Sequence, residues 1–245
     1  MIIDVHAHLW AGHYEDDKKT ILKACELFGI ERIYISSLLS YYPDHDEIEY
    51  CNNLTLGFMN EQPKLVRGYV YVDPTHKNRV EVLEKGLDNG MSGVKLWVAA
   101  KCDDYRVDDI AEKCIERNAP VLLHAFHKAI GQLEYESTAE NVRCIALRYP
   151  ELKIIMAHFG GNVYHGIRCI EDLNNVFTDF SGTMIGTGDI NYTLDSIGED
   201  RILFGTDMAT GGRQCIAQVE EAKLTQKQKD KIYYKNALEI FGGEL

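Results

Sequence analysis

What the chain lacks narrows it first. No apolar run approaches the roughly 20 residues of a membrane span. The opening MIIDVHAH carries neither the basic n-region nor the apolar h-region of a secretory leader. The expectation is therefore a soluble, cytoplasmic protein without a membrane partner. Its 26 lysines and arginines are scattered and outnumbered by 38 aspartates and glutamates, for a net charge of -12. The clustered basic surface that binds phosphate backbones is missing, which argues against nucleic acid as a partner. None of the seven cysteines (25, 51, 102, 114, 144, 169 and 215) falls in a C-x-x-C pair. That removes a disulfide framework and leaves reduced thiols serving as small buried hydrophobes. No Pro/Gly/Ser-rich linker or low-complexity stretch divides the chain.

What is present is a repeat of short apolar, β-branched segments: MIIDVHAH, IERIYISS, KLVRGYVYVD, SGVKLWV, APVLLHAF, LKIIMAH, NVFTDFSG and RILFGTD. They recur at the spacing of a strand plus a crossover helix. Several are nearly continuous apolar runs, as expected of parallel strands covered on both faces. Helical patterns lie between them, including DDIAEKCIERN and TAENVRCIALRY. The last, KQKDKIYYKNALEIFGG, puts Ile232, Tyr233, Ala237, Ile240 and Phe241 on one stripe and ends in a C-capping Gly242. Eight strand-helix alternations predict an α/β fold, a (β/α)8 TIM barrel forming one domain over residues 1–245. A doubly wound open sheet is the alternative, but no G-x-G-x-x-G follows the first strand.

Barrel active sites sit at the carboxyl ends of the strands. The ionisable residues expected at those ends are His6 and His8 on strand 1, Lys95 in strand 4, His124 after strand 5, His158 after strand 6 and Asp207 after strand 8. His6 and His8, two residues apart on a strand, share a face. Each residue alone is compatible with a hydrogen-bonded core position or a turn. Together they gather four imidazoles and a carboxylate on one rim, and burying such groups without partners costs a few kcal/mol each. A divalent metal resolves this economically. Zinc is the first choice for imidazole and carboxylate donors, with manganese, iron or nickel as alternatives.

DVHAH, GVKLW, LLHAF, IIMAHFGG, VFTDFSG and LFGTDMA together resemble the amidohydrolase superfamily, over essentially the whole chain. The likeness is to its amidohydrolase-related branch, which includes aminocarboxymuconate-semialdehyde decarboxylase and metal-dependent hydrolases and lactonases. The resemblance implies that His6, His8, His124 and Asp207 bind the metal. His158 would then act as a catalytic or supporting histidine, or as a ligand of a second ion. It also implies a choice at Lys95 between an ammonium paired with a carboxylate or the substrate and a carbamate bridging two ions. Glutamate in place of Lys95 would mark a TatD-like nuclease. An Asp-x-His element would mark a histidinol-phosphatase-like protein, but Asp207 is followed by Met208 and Ala209. Trp97 stands where the branch commonly has a histidine, a departure that bears on the substrate.

Trp97 shares the face of Lys95 and is expected to wall a pocket, unless it simply packs in the core. Arg213, in the loop ATGGR, is expected to clamp a substrate carboxylate or to lie in solvent. Asp4 either orients an imidazole or caps backbone donors. His127 is read as a surface or substrate-side residue, and His13, His45, His76 and His165 as solvated. The function expected is hydrolysis of a small amide, lactone or ester, with Asp207 accepting the proton of the attacking water and His158 polarising the scissile carbonyl. Nonoxidative decarboxylation of a small unsaturated acid is the alternative, and a phosphoesterase or a catalytically silent metal-binding barrel lies further off. A homodimer is left open.

Overall fold

The computed structural model describes residues 1–182, 186 and 188–243. Eight parallel strands run in the order β1-β2-β3-β4-β5-β6-β7-β8: β1 Ile2–Trp10, β2 Ile30–Leu38, β3 Val66–Tyr71, β4 Gly93–Leu96, β5 Val121–Leu123, β6 Ile154–Met156, β7 Val176–Asp179 and β8 Ile202–Leu203. The sheet closes on itself just beyond β8. Val5 N–H donates to the Phe204 carbonyl at 2.9 Å, Thr206 N–H to the His6 carbonyl at 3.1 Å and His8 N–H to the Asp207 carbonyl at 3.0 Å. This is the expected (β/α)8 barrel. All eight segments read from the sequence are strands, but most are shorter than their apolar runs. The remaining residues of those runs enter the loops that carry the polar rim.

The outer helices include α1 Tyr14–Phe28, α2 His45–Glu61, α3 Arg79–Asp88, α4 Asp108–Glu116, α5 Ala139–Arg148, α6 Val163–Ile170, α7 Asp189–Ile197, α8 Gly212–Glu221, α9 Gln226–Asp230 and α10 Asn236–Phe241. Their boundaries follow local chemistry. Asp44 and Asn162 accept first-turn N–H groups of α2 and α6, and Thr138 with Asn141 forms a capping box on α5. Gly29 and Gly242 end α1 and α10 in the left-handed conformation. No helix among the described residues is long and apolar enough to cross a membrane.

Two layers along the barrel explain where the chemistry sits. Tyr34, Tyr69, Leu122, Ile155, Phe177 and Leu203 form one apolar cluster with Ala237, Ile240 and Phe241 of α10. The C-terminal helix thus seals one end, with Phe241 stacked on Tyr34 at 3.9 Å between centroids. Two residues further along the strands, on the same faces, stand Ser36, Tyr71, His124, Asp179 and Gly205. The polar layer lies directly above the apolar one. The cysteines are free, and five are buried as expected; Cys144 is exposed and Cys169 half-buried, because their helix positions face outward.

Candidate metal centre at the barrel mouth

His6 and His8 lie within β1 rather than at its end, because the strand continues to Trp10. Both rings are buried, and their Nε2 atoms face each other at 3.0 Å. The other nitrogen of each ring is tied back to the barrel. His6 Nδ1 donates to Asp179 Oδ2 at 2.9 Å. His8 Nδ1 meets Ser36 Oγ at 2.9 Å and the Ser36 carbonyl at 3.4 Å. With each Nδ1–H spent in this way, Nε2 carries the lone pair of the neutral ring. Two lone pairs so close repel unless a proton or a cation lies between them. Asp207 Oδ1 completes the group, 3.6 Å from His6 Nε2 and 3.4 Å from His8 Nε2. Asp207 has φ +63°, an uncommon backbone for a non-glycine residue, which turns its carboxylate toward the histidines. Two imidazoles with convergent lone pairs and one carboxylate are a donor set that fits a divalent ion.

Lys95 is wholly buried in β4 with its Nζ 3.3 Å from His6 Nε2. Burial pushes its amine down to about 8, against the opposing pull of Asp207 and Asp179. Its neutral form is therefore within reach near physiological pH.

His158 follows β6 in a short turn and is buried, with its Nδ1 donating to the Ser181 carbonyl at 2.7 Å. Its ring centroid lies 5.0 Å from that of His6 and 5.2 Å from that of His124. Burial, reinforced by His6, holds His158 far below the ordinary imidazole range. With His6 and Asp179 it forms a second possible ligand group. His124 is turned differently from the other three. Its Nε2 donates to Glu136 Oε1 at 2.8 Å, leaving Nδ1 as the ring's other nitrogen. The structure thus groups His6, His8 and Asp207 through convergent atoms and leaves His124 engaged with the loop that follows β5. Burial alone would raise the Glu136 carboxyl, but His124 and Lys128 overcome it and hold it at about 2.

The mouth opens into a pocket of about 220 Å³ bordered by His8, His124, His158 and Asp207, with Trp10, Tyr41 and Trp97 as an aromatic wall. Trp97 packs edge-on to Trp10 and Tyr41, at centroid distances of 5.8 and 5.0 Å. Arg213 is not part of this lining. It is exposed on α8, whose inward positions are Gly212, Cys215 and Val219, so the helix register turns residue 213 to solvent. The cation that does border the pocket is Lys128, held 2.7 Å from Glu136 Oε1.

Sequence reasoning missed Asp179, Ser36 and Glu136. Asp179 carried a readable signal, since it closes the seventh strand at the same rim as the histidines. Its Oδ1 also accepts from His158 N–H at 3.2 Å and Ser181 N–H at 2.9 Å, so one carboxylate positions two rim elements. Ser36 is a short polar residue in an apolar strand, and Glu136 lies in a loop with no pattern. Asp4 caps backbone rather than an imidazole: it accepts from the N–H groups of His6 and Thr206, both at 3.1 Å.

No curated protein matches the chain at a significant level. Among solved structures it is similar to a 4-oxalomesaconate hydratase from Rhodopseudomonas palustris, with 20% identity over 99% of this chain and 96% of that one and a TM-score of 0.75. It is also similar to a 2,6-dihydroxybenzoate decarboxylase from Rhizobium, with 17% identity over 98% of each chain and a TM-score of 0.75. A dihydroxybenzoic acid decarboxylase from Polaromonas, solved with bound manganese and the inhibitor 2-nitroresorcinol, gives 16% identity over 98% of this chain and 96% of that one, with a TM-score of 0.73. At these identities the likeness is one of fold. The family model described as Amidohydrolase matches residues 3–243, nearly the full length, and the chain belongs to the amidohydrolase family.

Proposed function

We propose that this chain is a soluble, cytoplasmic, divalent-metal-dependent enzyme that hydrolyses a small amide, lactone or ester. The observation that carries this reading is the convergence of the His6 and His8 Nε2 atoms and the Asp207 carboxylate at the floor of an aromatic-walled pocket. His6, His8 and Asp207 would hold the ion, which is zinc in our reading; manganese, iron and nickel suit the same donors. His124 would join as the fourth ligand through Nδ1, or through Nε2 on release from Glu136. Lys95 and His158 are the residues through which a second ion would be held. When bound, the ion supplies Lewis-acid activation of a carbonyl and acidification of water.

The protein's own groups do the rest. Asp207, whose side chain is 32% exposed at the pocket floor, takes the proton of the attacking water. His158 borders the same floor, and with its Nδ1–H spent on the Ser181 carbonyl it presents an Nε2 lone pair that accepts a hydrogen bond or proton from the reacting water or substrate. Trp97 and Trp10 orient a flat substrate.

A second reading is nonoxidative decarboxylation of a small unsaturated acid. It is favoured by Lys128 at the pocket edge, which offers a cation to a carboxylate, and by the decarboxylases and hydratase among the structural neighbours. The test is a screen of lactones, amides, esters and unsaturated acids on metal-stripped and metal-reloaded protein, with released carbon dioxide measured alongside. Activity should require the ion and fall by about 10²- to 10⁴-fold in Asp207→Asn. Carbon dioxide release would select the second reading. Full activity after exhaustive chelation, with no metal left by mass spectrometry, would overturn both.

A further inference from the structure

Away from the barrel mouth, three exposed side chains from three different elements bring their donor atoms within 4.8 Å of one another: His127 after β5, Glu140 in the first turn of α5 and His165 in the first turn of α6. From this geometry we infer a second metal site, on the outer surface, in which His127, Glu140 and His165 hold a zinc-class divalent ion and water fills the remaining positions.

The three donors are brought together by backbone features that do not depend on the site. His127 is fixed by its own N–H, which donates to the Gly160 carbonyl at 2.9 Å. That approach needs glycine at 161, where φ is +79° and a Cβ would stand 2.5 Å from His127 N. Glu140 lies in the first turn of α5, which the Thr138–Asn141 capping box holds at its start. His165 N–H is itself the capping bond of α6, donating to Asn162 Oδ1 at 3.2 Å. A carboxylate and two imidazoles therefore meet on backbone held by these hydrogen bonds. The His127 and His165 rings stand 5.3 Å apart between centroids.

Without an ion, His165 Nε2 and Glu140 Oε1 share a hydrogen bond of 2.7 Å. Ligands at about 2.0–2.2 Å from a tetrahedral zinc lie about 3.3 Å apart, so binding would displace that proton and open the pair by roughly half an ångström. Rotation of exposed side chains provides that. The half-buried thiol of Cys169 is 3.9 Å from His165 Nε2, one helical turn along α6. Two imidazoles, one carboxylate and a neighbouring sulfur favour a borderline ion over magnesium or calcium, which prefer all-oxygen sites. The bound ion would join the β5–α5 loop, which carries Lys128 and Glu136 of the pocket, to α5 and α6.

The experiment is a zinc titration of chelator-stripped full-length protein by calorimetry in excess magnesium, with bound zinc counted after gel filtration. His127→Ala and His165→Gln should each bind one equivalent less than the unsubstituted chain, and Glu140→Gln should weaken the same equivalent. A His6→Ala/His8→Ala variant should keep it, which separates this site from the barrel-mouth reading. Zinc-edge anomalous scattering from the unsubstituted protein should place a peak among the three side chains, a readout that needs no variant to fold. Identical stoichiometry in all variants, displacement by magnesium, or no anomalous peak at this position would overturn the site.

Discussion

Asparagine at position 179 would be unable to satisfy its surroundings. Asp179 accepts from His6 Nδ1 on one oxygen and from the His158 N–H, the Ser181 N–H and the Ser181 hydroxyl on the other. Those are four donors and no acceptor. If the amide oxygen of an asparagine keeps the three bonds on the Oδ1 side, its NH₂ faces His6 Nδ1 and forces the ring into the tautomer with hydrogen on Nε2. That hydrogen would point at His8 and at the proposed ion. Asp179→Asn is therefore expected to lower metal affinity by about 10- to 100-fold, the usual cost of losing a residue that orients a ligand. Competitive chelator titration measures it, and unchanged affinity would mean that Asp179 does not set the tautomer. The parity of His6 and His8 was legible in the sequence because strand geometry is local. Their partners Asp179 and Ser36 come from other strands, and nothing in a linear spacing pairs them.

The turn that carries His158 is an element with strain built into it. After β6 the backbone takes positive φ at His158, Phe159, Gly160 and Gly161 in succession. The two non-glycine residues cost on the order of 1–3 kcal/mol each, so surrounding contacts must hold them. His158 N–H is fixed by Asp179, the Gly160 carbonyl by His127 N–H, and the Phe159 carbonyl lies directly against Gly166 of α6. Alanine at 166 would raise helix propensity but place its Cβ in overlap with the Phe159 carbonyl. We expect Gly166→Ala to destabilise by about 1–3 kcal/mol, a fall of several degrees in Tm for a chain of this size, and to lower turnover by displacing His158. Thermal unfolding and kcat together test this. A Tm at or above the unsubstituted value would show that the turn yields freely. The segment IIMAHFGG marked a histidine after a strand, but not its left-handed backbone, which depends on what the turn packs against.

For the whole molecule, one buried carboxyl reinforces the backbone bonds that close the barrel. Asp4 joins β1 to the segment after β8, accepting from His6 N–H, Thr206 N–H and, at 2.6 Å, the Thr206 hydroxyl. Burial pushes its carboxyl up from 3.8 to about 7 despite these bonds. A folded-state value above the unfolded one means the contribution is complete below about pH 4 and is lost as pH rises through about 7. From the same shift the loss is on the order of 4 kcal/mol. Asparagine keeps both N–H bonds on its amide oxygen, leaves the Thr206 hydroxyl to turn and accept from its NH₂, and does not titrate. The stability of Asp4→Asn relative to the unsubstituted chain should therefore rise between pH 4 and 8. Denaturant unfolding at both ends of that range checks it, and a difference that shrinks with pH would contradict the assignment.

By itself, the sequence determined the architecture and the rim. Eight apolar runs separated by amphipathic helices admit few layered solutions, and polar residues at the carboxyl ends of those runs must gather at one mouth once the sheet closes. These are consequences of short-range periodicity, which a chain carries in its own order of residues. Tertiary structure alone decided which nitrogen of each histidine faces the centre, that His124 is held by Glu136, that Lys128 and not Arg213 borders the pocket, and that His127, Glu140 and His165 meet on the surface. Each of those depends on pairing between residues far apart in the chain, or on a helix register set by packing. Hydrogen-bond partners across a barrel are chosen by three-dimensional proximity, which residue spacing does not encode.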